Sequence, residues 1–146
     1  MTPEIPLLTP AQRRLVRQSL ESVQEYSTAV IKLFYGRLFE IAPAVRPLFQ
    51  PSLDEQSSKL LQMLATVVDR LDRFDELREP LLELGRKHVI YGAKPEHYDA
   101  VRKALLWAFA QALGPEFDRE TKSAWDQMMR AVATTMIEGA DSLPPA

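Results

Sequence analysis

The sequence contains no cysteine. That absence excludes disulfides, thiolate catalysis, Cys-ligated zinc, iron–sulfur clusters and thioether-linked haem. Histidine is scarce: only His88 and His97 occur in 146 residues. Glycine numbers five, and no Asn-Gly or Asp-Gly pair marks a hairpin. No run approaches the roughly 18 apolar residues of a membrane helix. The uncharged stretch ALLWAFAQALGP is too short and ends in Gly-Pro. The start, MTPEIPLLTP, has no basic segment followed by an apolar one. No signal peptide is therefore expected, and the cytoplasm is the expected location. A strong charge of either sign is also missing. The net charge of −2 argues against nucleic acid as the main partner, because phosphate binding needs a basic face.

What remains is an ordinary globular composition, 46% apolar and 26% charged, long enough for one domain with a sizeable core. No internal repeat or low-complexity segment is present. The apolar pattern is helical almost throughout. Thr9-Pro10-Ala11-Gln12 reads as an N-cap, a proline at the first helical position and a capping-box partner. It opens a helix to about residue 24. Further helices are expected over 26–41, 53–71, 75–90, 95–113 and 118–139, with short helical or turn structure between Pro43 and Pro51. Gly92 is a natural helix stop, and Gly114-Pro115 breaks the chain. About seven helical pieces and no convincing strand give an all-α domain. Residues 1–8 read as an N-terminal extension, 9–139 as the domain, and 140–146 as a Pro-containing tail that could serve as a linker.

Three polar residues fall on apolar helix faces. Leu77, Leu81, Leu84 and His88 are spaced to line one face, so His88 is expected to be buried. A buried imidazole needs partners for its nitrogens. Taken alone, it reads as a hydrogen-bonded core histidine. Gln56 sits in the stripe of Leu53, Leu60, Leu64, Val67 and Leu71, and alone it reads as an edge residue. Tyr35 lies in line with Ile31, Leu38 and Ala42, and alone it reads as core. Together they describe three helices that each point one polar group into an apolar interior. That suits a buried ligand needing one coordinating atom and a few hydrogen bonds. One histidine cannot hold a bare zinc or iron ion. It can hold haem iron, because the porphyrin supplies four ligands.

These segments carry a resemblance. LFYGRLFEIAPAVRPLF, QSSKLLQML, LGRKH and EHY are similar to the corresponding segments of bacterial single-domain globins of the flavohaemoglobin and Vitreoscilla-type haemoglobin group, over about residues 9–139. The resemblance implies a globin fold around non-covalent haem b. It implies His88 as the iron ligand, with Leu84 beneath the haem and Tyr98 near the imidazole. It implies Tyr35 and Gln56 as hydrogen-bonding partners of the bound gas, with Leu60 one turn on. Pro43 matches the proline opening the family's third helix, and Phe49, six residues later, matches the phenylalanine packed on the haem. Lys59 is expected either in solvent or against a haem propionate, with a remoter role as an internal iron ligand. His97 is expected at the surface or the haem edge. Trp107 or Phe109 is expected to complete the apolar wall.

One departure stands out. Flavohaemoglobin-like globins carry a last-helix glutamate that hydrogen-bonds the proximal histidine. Aligned on Trp125, that position falls at Ala140, and Glu138 lies two residues early. Two residues turn a helix by about 200°, so Glu138 is expected to point elsewhere. The group's reductase domains are also absent from these 146 residues.

The function implied is reversible binding of O2, and of CO and NO, in oxygen storage, transport or scavenging, rather than enzyme catalysis. The alternatives are a gas-sensing domain of a longer protein, and NO dioxygenase or peroxidase-like detoxification with an external reductase. A haem-free helical module would leave Tyr35, Gln56 and His88 unexplained together. The sequence leaves monomer and homodimer both open.

Overall fold

Thr9 caps the first helix as its motif predicts: its hydroxyl accepts the Gln12 N–H at 3.1 Å, and the Gln12 side chain accepts the Thr9 N–H at 2.9 Å. The computed structural model describes residues 8–48, 53–90 and 92–141. Among the described residues the structure is all-α, with no strand. The helices are α1 (Pro10–Glu25), α2 (Ser27–Ile41), α3 (Leu53–Asp69), α4 (Arg78–Ile90), α5 (Pro95–Leu113) and α6 (Arg119–Asp141). Short 3₁₀ segments cover Pro43–Leu48, Leu71–Leu77 and Gly114–Glu116.

Three boundaries differ from expectation by two residues or more, and one of them is the end of α3, at Asp69 rather than about 71. The helix expected from 75 begins at Arg78, after a 3₁₀ segment with non-helical backbone at Arg73. Pro80 has no N–H to donate and fits only a first turn, which holds the start close to it. At the other end, α6 runs through Gly139 to Asp141. The glycine is buried between helices there and does not act as a stop.

The molecule packs mainly as α4 along α6 and α2 across α5, with α1 against α6 and α3. An aromatic cluster ties the α5–α6 side together. Phe109 meets Trp125 edge-on at 5.0 Å and Phe117 at 5.9 Å. Trp125 is fully buried, and its indole N–H donates to the Ser19 hydroxyl of α1 at 2.7 Å. Buried aromatics of this kind cost about 3–5 kcal/mol to truncate. They anchor α5 and α6 as a rigid back wall. α3 and α4 stand in front of it, and the space between them is not filled by side chains.

Candidate functional site

That space is a cavity of about 520 Å³, within the range of small-molecule and cofactor sites. Gln56, Lys59, Leu60 and Leu64 of α3 line it, opposite Leu84 and His88 of α4. α2 contributes Phe34 and Tyr35, and α5 contributes Tyr98, Val101 and Leu105. The lining is largely apolar, with a few polar groups aimed inward.

His88 is half-buried rather than buried as expected, because its side faces the cavity. Its Nδ1 lies 2.8 Å from the Leu84 carbonyl oxygen of the preceding turn. A carbonyl can only accept, so Nδ1 carries the proton. Nε2 then keeps its lone pair, the form a metal ligand requires. The Tyr98 ring packs beside it, with centroids 6.3 Å apart and planes 35° from parallel. Burial pushes the Tyr98 phenol above its ordinary pKa of 10.0.

Across the cavity, Tyr35 is buried between Phe34 and Phe39, at 4.9 and 5.8 Å. Burial raises its pKa from 10.0, partly opposed by a hydrogen bond from the Ser57 hydroxyl at 3.5 Å. The phenol therefore stays protonated at neutral pH and can donate. Gln56, half-buried near the start of α3, adds a side-chain amide to the lining. The helix brings Gln56 and Leu60 to one side because they are four residues apart.

Lys59 is exposed yet lines the cavity, so its stem follows the apolar wall while its head stays near water. His97 also lines the cavity, and its Nδ1 accepts the Lys94 N–H at 3.0 Å. Phe49 lies outside the described residues. Trp107 and Phe109 correct an expectation: neither lines the cavity. Phe109 belongs to the aromatic cluster, and Trp107 lies under the Arg37 guanidinium at 5.2 Å. Both turn toward the rear of α5, which faces α2 and α6 rather than α4. Glu138 forms a 3.1 Å ion pair with Arg78 and does not reach His88.

Several lining residues escape the sequence reading. Met128, Met129, Val132 and Met136 of α6 form much of one wall, and Met63 adds to it from α3. Their spacing along α6 is an apolar stripe that the sequence does display. It reads as core, and only the fold reveals that the stripe faces a cavity. Arg102 is the other omission. Its guanidinium donates to Asp99 and to Asp126, and Asp126 also accepts from Arg130 at 2.8 Å. Desolvation works against the Arg102 charge, but the two carboxylates outweigh it and raise its pKa further.

The donor set decides what kind of metal group fits. Among the described residues no cluster of three or more His, Cys, Asp or Glu could hold a bare metal ion. One imidazole, correctly protonated, faces an apolar cavity of cofactor size. A haem fits these residues, because it needs a single protein ligand and apolar walls on both faces.

Several known proteins are similar to this chain along most of its length. A globin-like protein of Aquifex aeolicus is 30% identical over 124 residues, covering 85% of this chain and 88% of that one. Neuroglobin of Danio rerio is 28% identical, covering 90% of this chain and 92% of its own length. The solved structure of an engineered carbene transferase, a candidate nitric oxide dioxygenase from Rhodothermus marinus, superposes with a TM-score of 0.80. It is 26% identical and covers 92% of this chain and 94% of its own. The globin family model matches residues 32–136, most of the length and both sides of the cavity, and the chain belongs to the globin family.

Proposed function

We propose that this globin binds haem b through His88 and holds O2, and also CO and NO, reversibly between Tyr35 and Gln56. The observation that carries the reading is the His88 Nδ1–Leu84 carbonyl contact, which leaves Nε2 for iron. When bound, the haem supplies an iron with one site for Nε2 and one for a diatomic gas. The absence of cysteine supports non-covalent attachment. The grouping with bacterial single-domain globins of the flavohaemoglobin and Vitreoscilla-type group rests on the Tyr35/Gln56 pair, the Pro43–Phe49 spacing and the LGRKH segment taken together.

The residues perform four tasks. His88 binds and orients, and its proton stays on Nδ1. Leu60, Leu84, Val101 and Leu105 exclude water, which protects a reduced iron from oxidation. Phe49 adds to that wall in the resemblance-based reading. Tyr98 packs beside His88 and restricts rotation of the imidazole ring. Tyr35 and Gln56 donate hydrogen bonds to a gas that gains partial negative charge on binding. O2 draws such bonds and CO draws them poorly, so the pair favours O2. Lys59, exposed beside the cavity, would meet a haem carboxylate.

Binding is favoured over peroxide chemistry for a structural reason. The Nδ1 partner is a neutral carbonyl, and Glu138 is engaged with Arg78. The imidazole therefore gains little anionic character. Turnover of NO, the activity for which the Rhodothermus relative is named, would need an external reductase.

The test is the visible spectrum after haem is offered to the purified chain, as isolated, reduced, and under O2 and CO. The expected result is a Soret band that shifts with each gas and is lost in His88→Ala. A His88→Ala protein with an unchanged spectrum overturns the assignment.

A further inference from the structure

α4 and α6 approach each other through two glycines, and the approach is reciprocal. A Cβ on Gly85 of α4 would lie 1.8 Å from the backbone oxygen of Met136 on α6. A Cβ on Gly139 of α6 would lie 2.0 Å from the backbone oxygen of Leu82 on α4. On each helix the carbonyl precedes the glycine by three residues, so the antiparallel pair interlocks twice. The hydrogen occupying each Cβ direction points at a carbonyl oxygen. Each Cα···O separation is then within about 3.5 Å, the range of a Cα–H···O hydrogen bond.

The first of these contacts touches the site. The peptide unit between Leu84 and Gly85 contributes the Leu84 carbonyl, the acceptor for His88 Nδ1. The same peptide unit is pressed against the α6 backbone through Gly85 Cα. The carbonyl that orients the imidazole therefore has little freedom to tilt. α6 is itself held by the buried Trp125–Ser19 bond and the aromatic cluster.

We infer that Gly85, seated on the Met136 carbonyl with Gly139 as its counterpart, is a positioning residue that sets the height and rotation of the His88 imidazole. The inference rests on the reading of His88 as the iron ligand. A methyl at position 85 cannot stay 1.8 Å from an oxygen, so α4 must move off α6 by about 1 Å or more. Leu84 and His88 move with it. No side chain at position 136 can replace this contact, because the Met136 partner is main chain.

The experiment compares Gly85→Ala, Ile137→Val and the unaltered protein, each loaded with haem and reduced without gas. Resonance Raman spectroscopy reads the iron–histidine stretching band. Gly85→Ala is expected to shift that band to lower frequency and broaden it. Ile137→Val, beside the contact but off the cavity lining, keeps the Met136 backbone oxygen and is expected to leave it in place. A role in stability alone would lower the thermal midpoint and leave the band unmoved, and that result overturns the inference. A second arm uses His88→Gly rescued by free imidazole, where the ligand is no longer tethered to α4. Adding Gly85→Ala there is expected to lose most of its effect on the band, and an undiminished shift overturns the inference.

Haem-free protein gives an independent readout. Nitrogen NMR of the His88 ring is expected to show the Nδ1–H tautomer in the unaltered chain and a mixture of tautomers in Gly85→Ala. If the unaltered chain takes up no haem, the functional proposal fails, and this ring measurement alone decides the role of Gly85. If Gly85→Ala does not fold, the unaltered chain decides. One Hα of Gly85 shifted downfield by the Met136 oxygen upholds the contact, and both at ordinary helical positions overturn it.

Discussion

The hydroxyl of Ser57 lies 3.5 Å from the phenolic oxygen of Tyr35, linking α3 to α2 at the edge of the cavity. The contact is long, so it steers the phenol more than it holds it. This ranks three donors by their effect on O2 release. If a hydrogen bond nets about 1–1.5 kcal/mol, Tyr35→Phe and Gln56→Leu each speed O2 dissociation by about 5- to 13-fold. Together they speed it by about 30- to 150-fold. Ser57→Ala, acting only through Tyr35, changes it by about threefold or less. Stopped-flow displacement of O2 by CO measures all four, and CO dissociation stays nearly constant across the set. Equal O2 release from the double variant and the parent would falsify the donor assignment.

The raised pKa of Tyr35 gives a pH dependence with a definite sign. The folded phenol holds its proton more tightly than the unfolded one, whose pKa is about 10.0. Its contribution to stability is therefore complete below pH 10 and is lost as pH rises through the folded value. The hydrogen-bond donor is lost over the same range. O2 dissociation is expected to be flat from neutral pH to about 10 and to accelerate above it. Tyr35→Phe removes that acceleration. A rise between pH 6 and 8 would point to a different group.

Asp126 makes the opposite prediction at acid pH. Desolvation pushes its carboxyl up, but hydrogen bonds from Arg130 and Arg102 outweigh that and hold it below the ordinary 3.8. This stability is present above pH 3.8 and is lost as pH falls through the folded value. Asp126→Asn leaves the Arg102 guanidinium, only 11% exposed, short of one carboxylate. We expect a loss of about 1–2 kcal/mol at pH 7, discounted because Asp126 is partly exposed. Denaturant melts at pH 7 and pH 3 test it, and the difference from the parent shrinks at pH 3.

Ser19→Ala isolates the contact between α1 and α6. It removes the acceptor for the Trp125 indole N–H deep in the core. An unsatisfied buried donor costs about 1–3 kcal/mol. Urea melts followed by Trp fluorescence report the loss, with gas binding unchanged because neither residue lines the cavity.

The sequence displays more of the helices than of the cavity. Capping at Thr9 and the Pro95 start depend on neighbours in the chain, and both appear as expected. The convergence of Tyr35, Gln56 and His88 is also legible, because each breaks an apolar stripe that the helical period defines. The start of α4 is misjudged, since the 3₁₀ segment before it has the same local composition as a helix. The methionine wall is visible as a stripe, yet a stripe facing a cavity and one facing another helix look alike. Arg102 is invisible for a related reason. Asp99, three residues before it, is a visible local partner, but the other carboxylate on this buried charge is Asp126, 24 residues away, which nothing local marks.

The aromatic cluster of Phe109, Phe117 and Trp125 is closely packed, whereas the cavity lined by Leu105 and Met128, about one helical turn away on α5 and α6, is not filled. The protein is therefore thermodynamically lopsided. α1, α5 and α6 carry their own dense packing and α4 is locked to α6 through Gly85 and Gly139, whereas α3 leans on a volume that side chains do not fill. Whatever fills that volume behaves as the missing part of the core. Mass action sets the size of the effect: a ligand at 1,000 times its dissociation constant adds about 4.1 kcal/mol to the folded state. The supply of that ligand, as much as the sequence, then governs how long α3 keeps its native place.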